Sequence, residues 1–300
     1  SGRSRSGHCH ERGGRRVKAP LLALIVCVVA AACGNAESVA SGDTQLPSGA
    51  IAVVANADIA VGEGRLLVAI AESDGSRLGS PADAIAIEVA PADQPELRQR
   101  AEGAVTWRLA DAFGLYRGEF VFDRPGLWNV TVVPASGRPL EPTFIQVRED
   151  TIAPGIGDPA PPVPTPTAAT ALLEEITTDP APDERFYELS LDQASRSGAK
   201  TVAVFSTPAF CRTATCGPML DQVKGIAPDY PDVNFVHVEI YTGFNEPDFV
   251  PDGDHLAPAV TANGWNLPSE PWVFVLDEAG VISHRFEGVM DPAELVTALS

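Results

Sequence analysis

The 300-residue sequence predicts a multidomain protein in which an all-β sandwich is followed by an α/β domain. Between residues 49 and 149, seven short apolar or alternating segments are separated by Gly, Pro, Asp and Ser, a pattern typical of antiparallel sandwiches. Residues 150–182 are rich in proline and predict an extended, semi-stiff linker between two independently folding bodies. From residue 183 to residue 300, strand-like and helix-like segments alternate, which indicates an α/β domain.

The first 32 residues have the composition of an export signal. They hold six of the 21 basic residues and one of the 40 acidic residues. Arg15, Arg16 and Lys18 precede LLALIVCVVAAA, an apolar run of twelve residues that is shorter than the roughly 20 needed to span a membrane. Residues 1–32 are therefore predicted to be a signal peptide.

The signal ends in AAACGN, which resembles the end of a bacterial lipoprotein signal. The resemblance implies cleavage before Cys33, a lipid on that cysteine and an extracytoplasmic protein anchored to the cell membrane. The alternative is an ordinary secretory signal cut near Ala32, which would leave Cys33 a free thiol on a secreted protein. Small polar residues at 33–48 predict a flexible tether.

Charge limits the expected partners. From Cys33 onward the chain has 15 basic and 39 acidic residues, a net charge of −24. Such a body repels nucleic acid and anionic lipid headgroups, so nucleic acid is excluded as a partner and membrane contact is expected only through the lipid anchor.

The segment 114–134, GLYRGEFVFDRPGLWNVTVVP, predicts two strands joined by a turn at Arg124-Pro125-Gly126. It resembles the penultimate hairpin of immunoglobulin-like bacterial surface domains, so residues 49–149 are expected to form an immunoglobulin-like sandwich. Tyr116 and Trp128 are expected to be core anchors rather than ligand-binding aromatics. Without a His, Cys or carboxylate cluster, this domain is predicted to be a spacer or a partner-binding module whose partner the sequence does not identify.

The C-terminal part predicts a series of short elements. Helices are expected in ALLEEIT, in LDQASRSG and at 217–226, 255–263 and 291–299, and strands at 186–190, 200–206, 233–241, 272–276 and 281–286.

Two of the five cysteines are expected to react with each other. Cys9 and Cys27 leave with the signal, and Cys33 takes the lipid. Cys211 and Cys216 remain, and two cysteines so close in an oxidising compartment are expected to form a disulfide.

The stretch VAVFSTPAFCRTATCGPML, residues 202–220, joins an apolar strand through a cysteine loop to Cys216-Gly217-Pro218 and a helical pattern. Further on, Pro271 precedes a strand in GWNLPSEPWVFVLDEAGVI. Together these features resemble the thioredoxin superfamily, closest to its membrane-anchored extracytoplasmic branch, over about residues 183–300. The resemblance implies thiol-disulfide exchange without a cofactor, protein thiols and disulfides as substrates, and a cis Pro271 that faces the cysteine pair.

The sequence departs from that family in two ways. Four residues rather than two separate the cysteines, and Met219 stands where the second cysteine would be. The acid that many thioredoxins have near the end of this strand is absent from Val204-Phe205-Ser206.

Either cysteine could be the nucleophile. Residues five apart on a helix point about 140° apart, so Cys211 is expected in the loop. Its neighbour Cys216 is expected at the helix N-terminus, where the helix dipole lowers the pKa of a thiol, and this argument favours Cys216.

Two other functions remain open. The first is a non-catalytic binding module with a structural disulfide. The second is a thiol peroxidase, because Thr213 lies three residues before Cys216, with Arg212 or Arg285 as the peroxide-polarising arginine; Pro208, however, is one residue too far from Thr213.

No metal site is expected. A copper-delivery protein of this fold would need a histidine just before Pro271, and Leu267-Pro268-Ser269-Glu270 stands there. The acidic loop with Asp248, Asp252, Asp254 and His255 is expected to be solvated.

Overall fold

The computed structural model describes residues 46, 48–76, 84–109 and 113–300, and for 84, 104–109 and 113 the backbone alone. The predicted signal peptide 1–32, Cys33 and all but two residues of the predicted tether lie outside the described residues. Within those ranges, no helix has the length and apolar character needed to cross a membrane.

Seven strands occupy the segments in which the N-terminal pattern predicts them. They are β1 (Ile51–Val54), β2 (Gly62–Ala71), β3 (Ala84–Pro91), β4 (Gln99–Leu109), β5 (Phe113–Phe122), β6 (Gly126–Pro134) and β7 (Thr143–Val147). All neighbours pair antiparallel in the order β1-β2-β5-β4-β3-β6-β7. The end of β7 also meets the chain before β2, where the Val61 N–H donates to the carbonyl oxygen of Arg148 at 3.0 Å. Hydrogen bonds thus join all seven strands into one curled sheet, and the two-layer immunoglobulin-like sandwich stays a prediction.

The hairpin predicted for residues 114–134 is wrong. β5 and β6 follow each other in the chain, but β4 and β3 lie between them in the sheet. Both strands contribute aromatic side chains to the same interior, where the rings of Phe122 and Trp128 pack edge to face with centroids 5.0 Å apart. The connection therefore joins two distant parts of the curled sheet. Tyr116 and Trp128 are buried, which confirms them as core residues.

The C-terminal part contains four helices and four strands among its described residues. They are α1 (Leu173–Ile176), α2 (Leu191–Ala194), β8 (Thr201–Ser206), α3 (Cys216–Ile226), β9 (Asn234–Glu239), β10 (Trp272–Leu276), β11 (Ile282–Glu287) and α4 (Pro292–Leu299). The sheet order is β11-β10-β8-β9, with β8 and β9 parallel and the other pairs antiparallel. β8 and β10 are buried along their whole length, as their continuous apolar runs predict.

Two predicted elements of this part are wrong. Residues 186–190 are not a strand; a 3₁₀ turn covers Glu184–Tyr187, and its two aromatic side chains are both buried instead of alternating. Residues 255–263 are not one helix but lie around two 3₁₀ turns, Gly253–His255 and Pro258–Val260. Proline disfavours helical backbone at the residue before it, so a helix does not continue through this point.

The proline-rich segment 150–182 has little regular structure, as its composition predicts, but it is bound to the C-terminal part. The N–H of Thr165 donates to Ser190 Oγ at 2.8 Å, and the N–H of Leu191 donates to Thr165 Oγ1 at 2.9 Å. The N–H of Ala160 donates to the carbonyl oxygen of Gly280 at 2.9 Å. The segment is therefore hydrogen-bonded to the C-terminal part along its length and is not a linker that stands free of it.

Buried ion pairs connect the curled sheet to the α/β part. Arg285 on β11 pairs with Asp58, and Arg65 on β2 pairs with Glu294 on α4. Leu67 of β2 also belongs to an apolar cluster formed mainly by the α/β part. The described residues from 46 to 300 accordingly belong to one compact unit, and the division into two independently folding bodies stays a prediction.

Candidate redox site

Cys211 and Cys216 form a disulfide with their Cα atoms 5.9 Å apart, which confirms the predicted pairing. The buried strand β8 ends at Ser206, the loop 207–215 follows, and α3 begins at Cys216. Cys211 lies in that loop, as the helical geometry predicts.

The two sulfur atoms have different surroundings. Cys216 is fully buried, whereas Cys211 is partly exposed. The N–H of Cys216, in the first turn of α3, donates to Cys211 Sγ at 3.2 Å. The hydroxyl of Thr213 lies 3.3 Å from the same sulfur. Free N–H groups and the helix dipole at a helix N-terminus stabilise a thiolate, so the structure offers this stabilisation to Cys211 rather than to Cys216.

The cysteine loop contains an unusual backbone conformation. Ala214 has φ 58°, and Asn266 is the other non-glycine residue with positive φ among the described residues. For alanine, this left-handed conformation costs about 1 kcal/mol. It persists where surrounding structure enforces it, and here the N–H of Ala214 donates to the carbonyl oxygen of Cys211 at 3.3 Å within the ring closed by the disulfide.

The end of the predicted linker supports the cysteine loop. The N–H of Ala209 in this loop donates to Thr178 Oγ1 at 3.1 Å, and the hydroxyl of Thr178 donates to Glu239 Oε2 at 2.7 Å. The next residue, Asp179, pairs with Lys224 of α3 at 2.6 Å. The sequence did not predict this contribution, because nothing in a proline-rich segment indicates what its polar residues contact.

Glu239 is the second residue that sequence reasoning missed. It ends β9 directly beside Ser206 of β8 and is 6% exposed. Burial raises the pKa of its carboxyl, although the hydrogen bonds that Thr178 donates to it oppose the shift. β8 lacks an acid, as the sequence shows, but the neighbouring strand supplies a buried one. A glutamate inside the apolar run FVHVEI was the signal that could have identified it.

His237 lies on the same strand, two residues before Glu239, and is also buried. Its Nε2 is 2.9 Å from Ser206 Oγ, and its Nδ1 is 2.8 Å from the hydroxyl oxygen of Tyr187. Burial lowers the pKa of the imidazole to about 4. The ring is therefore neutral at physiological pH and ties β8, β9 and the 3₁₀ turn together beneath the cysteine loop.

We expect His237 to make the protein acid-labile. Its folded pKa lies below the unfolded value of about 6.5, so the unfolded chain binds the proton first, and stability falls as pH drops from about 6.5 to about 4. The expected loss is about 3 kcal/mol over that range. Glu239, whose pKa is raised, makes the folded state more stable as pH falls, so the contribution of His237 must be isolated by a variant. The measurement is urea unfolding at several pH values for the wild type and for His237→Asn. An equal pH dependence in both proteins would contradict this assignment.

Pro271 lies at the same edge of the sheet as the cysteine loop. The Glu270–Pro271 peptide bond is cis, the isomer that the resemblance implies. Trp272, the first residue of β10, pairs with Phe205, so Pro271 is placed beside the end of β8. Burial raises the pKa of Glu270, and the positive charge of Arg212 in the cysteine loop opposes this shift.

Arg285 and the acidic loop, the remaining charged candidates, belong to other parts of the structure than the cysteine pair. Arg285 donates to Asp58 and lies 4.8 Å from the ring centroid of Trp272, so it belongs to the contact with the curled sheet. In the acidic loop, Asp252 Oδ1 and His255 Nδ1 lie 2.9 Å apart. No group of three or more His, Cys, Asp or Glu side chains suited to a metal ion occurs in the part of the chain that the structure describes.

Comparison with protein-family models finds no match to this chain, and comparison with curated proteins finds none either.

Proposed function

We propose that this protein is a thioredoxin-like thiol-disulfide oxidoreductase that acts through Cys211 and Cys216. The observation that carries the proposal is the position of Cys211 Sγ. Cys211 is partly exposed, and its Sγ accepts the N–H of Cys216 at the start of α3. Cys216, its disulfide partner, is in place to resolve a mixed disulfide on Cys211. A structural disulfide needs neither an accessible sulfur nor a donor that stabilises one thiolate.

In the reducing direction, the dithiol form begins with the thiolate of Cys211. Its sulfur attacks one sulfur of a client disulfide, a mixed disulfide forms, and the client's other sulfur leaves as a thiolate. The Cys216 thiol then loses its proton and attacks Cys211 Sγ, which releases the client's second thiolate. Two electrons pass to the client, its thiolates take up two protons, and the protein ends with the Cys211–Cys216 disulfide. An external dithiol restores the reduced form.

Other parts of the chain assist this exchange. Cys216 is buried, so it acts after Cys211 as the resolving thiol. Glu239 has a raised pKa and reaches the cysteine loop through Thr178, which suits a buried group that exchanges protons near the site. Pro271, at the same sheet edge, is proposed to lie against the client backbone. No cofactor takes part in the proposed reaction.

The proposed location follows from the sequence. The signal peptide 1–32 directs export, and Cys33 carries the lipid that anchors the protein outside the cytoplasm. Protein thiols and disulfides are then the proposed substrates, and the curled sheet is proposed to bind a partner protein or to act as a spacer.

The test is disulfide reduction by the reduced, full-length mature protein. We expect it to reduce bis(2-hydroxyethyl) disulfide catalytically in the presence of dithiothreitol, and we expect a potential for the cysteine pair that is more oxidising than about −300 mV. No turnover together with a potential below about −300 mV would overturn the proposal in favour of a structural disulfide. Faster turnover of hydrogen peroxide than of any disulfide would instead indicate a thiol peroxidase.

A further inference from the structure

Three aromatic side chains form a cluster that begins next to the disulfide. Phe210 directly precedes Cys211, and its ring centroid is 4.9 Å from that of Phe249 and 6.1 Å from that of Tyr241. All three side chains are partly exposed, unlike the aromatic residues of the cores. We call Phe210, Tyr241 and Phe249 the aromatic platform.

The platform is supported by an ordered loop, residues 241–256. Tyr241 and Leu256 form a β-bridge at the base of the loop, and the N–H of Thr242 donates to the carbonyl oxygen of His255 at 2.8 Å. The ring of His255 packs against Phe249 with centroids 5.1 Å apart. Val250, the residue after Phe249, is 54% exposed and adds an apolar side chain to the surface of the loop.

The loop that carries this surface is negatively charged. The sequence has no Lys or Arg between residues 225 and 284, but ten Asp or Glu residues. Four of these acids belong to the loop and are exposed: Glu246, Asp248, Asp252 and Asp254. Arg212 is the basic residue of the cysteine loop, and the partly exposed Glu270 lies within range of its charge.

We propose that the client is a polypeptide segment that carries its cysteine close to a large apolar side chain and to Lys or Arg. The apolar side chain packs on the aromatic platform, and the basic residue faces the acidic loop while the client sulfur reaches Cys211. This inference rests on the proposed function and adds the class of substrate. Small anionic disulfides are excluded from this class, because the acidic loop repels them and they lack a side chain for the platform.

The first experiment varies the substrate and keeps the reduced wild-type protein. Three peptides are compared that share one disulfide-blocked cysteine and a neighbouring Phe, and that carry two Lys, two Gln or two Glu. We expect kcat/KM for the Lys peptide to exceed that for the Glu peptide about tenfold at low salt, and the ratio to fall toward one at about 0.5 M salt. Equal rates for the three peptides at low salt would overturn the charge preference.

The second experiment tests the platform. Phe249→Ser is expected to lower kcat/KM for the Lys peptide about tenfold relative to that for bis(2-hydroxyethyl) disulfide, a loss typical of one buried apolar contact. The matched control is Phe144→Ser on β7, where the side chain is 58% exposed, and this variant should change neither rate. If Phe249→Ser leaves the ratio unchanged, the platform does not bind the client.

Turnover of bis(2-hydroxyethyl) disulfide distinguishes a failure of the proposed substrate class from a failure of the proposed oxidoreductase activity. If the wild type reduces this compound but does not distinguish the peptides, the substrate class is wrong and the oxidoreductase stands. If the wild type does not reduce this compound or any peptide, the oxidoreductase itself is wrong.

Discussion

Serine at position 211 is expected to abolish disulfide reduction, with a loss of at least about a thousandfold in turnover. The remaining Cys216 is fully buried, so a client disulfide cannot reach its sulfur. Cys216→Ser should also lose turnover, but it should accumulate a mixed disulfide between Cys211 and the client, since the resolving thiol is missing. Mass spectrometry of the non-reduced protein after incubation with a peptide disulfide distinguishes the two variants.

Both variants lack the same short disulfide ring, whose removal costs about 2 kcal/mol in the chain-entropy model. The trapped mixed disulfide therefore distinguishes them by chemistry, whatever the cost of the serine hydroxyl at the buried position 216. In Cys216→Ser the backbone N–H of residue 216 remains, so we also expect the pKa of the Cys211 thiol to lie below the ordinary value of about 8.5. Its rate of alkylation as a function of pH measures this. Trapping by Cys211→Ser instead of Cys216→Ser would show that Cys216 is the nucleophile.

Glu294→Gln is expected to lower the free energy of unfolding by about 3 kcal/mol or more at pH 7. The carboxylate accepts from Arg65 Nε at 2.7 Å and Nη2 at 3.0 Å, and it pairs with Arg117 Nη1 at 2.7 Å. The side chains of Glu294 and Arg65 are 9% and 15% exposed. Glutamine leaves Arg65 without its counter-charge in a poorly solvated place, which is the costly way to break a buried ion pair, whereas Arg117 keeps Glu119 at 3.8 Å.

The same carboxylate predicts a pH dependence. Although burial raises the pKa of Glu294, the hydrogen bonds and charge of Arg65 outweigh it and lower the pKa to about 2, whereas the unfolded value is about 4.5. The stabilisation is complete above about pH 4.5 and is lost as pH falls toward about 2, a change of about 3 kcal/mol. Urea unfolding between pH 2 and 7 should show this loss in the wild type and much less of it in Glu294→Gln.

The control for this variant is Glu278→Gln in the exposed hairpin between β10 and β11, which should change stability by less than about 0.5 kcal/mol. If Glu294→Gln and Glu278→Gln are equally stable at pH 7, the contact between the curled sheet and α4 does not contribute the expected energy.

Sequence reasoning worked best where a pattern is local and continuous. The apolar run of β8, the alternation of the N-terminal strands and Asp291-Pro292 at the start of α4 each determine one element by spacing or capping. Sequence reasoning failed where the same local pattern is compatible with two different strand pairings. Strands β5 and β6 have the sequence of a hairpin, but their partners in the sheet are other strands, because aromatic residues from both fill one interior.

The candidate site shows the same division. Cysteine counting was sufficient to predict the pair Cys211–Cys216, and the resemblance was sufficient to place Pro271 before a strand. The sequence was not sufficient to choose the nucleophile. The helix-terminus argument favoured Cys216, but in the structure the N–H of Cys216 donates to Cys211 Sγ, which favours Cys211. A residue at the first position of a helix contributes its own N–H to a neighbour in the preceding loop, and the sequence does not show which side chain lies there.

The sequence by itself determined the seven N-terminal strands, the strands β8 to β11, the disulfide and the acidic character of the chain, because these depend on neighbouring residues or on counts. The tertiary structure alone decided that Thr178 and Glu239 support the cysteine loop, that Phe249 lies beside Phe210, and that Arg65 reaches Glu294. These residues are between 39 and 229 positions apart in the chain, and only the crossing of strands and the packing of loops bring them within contact distance.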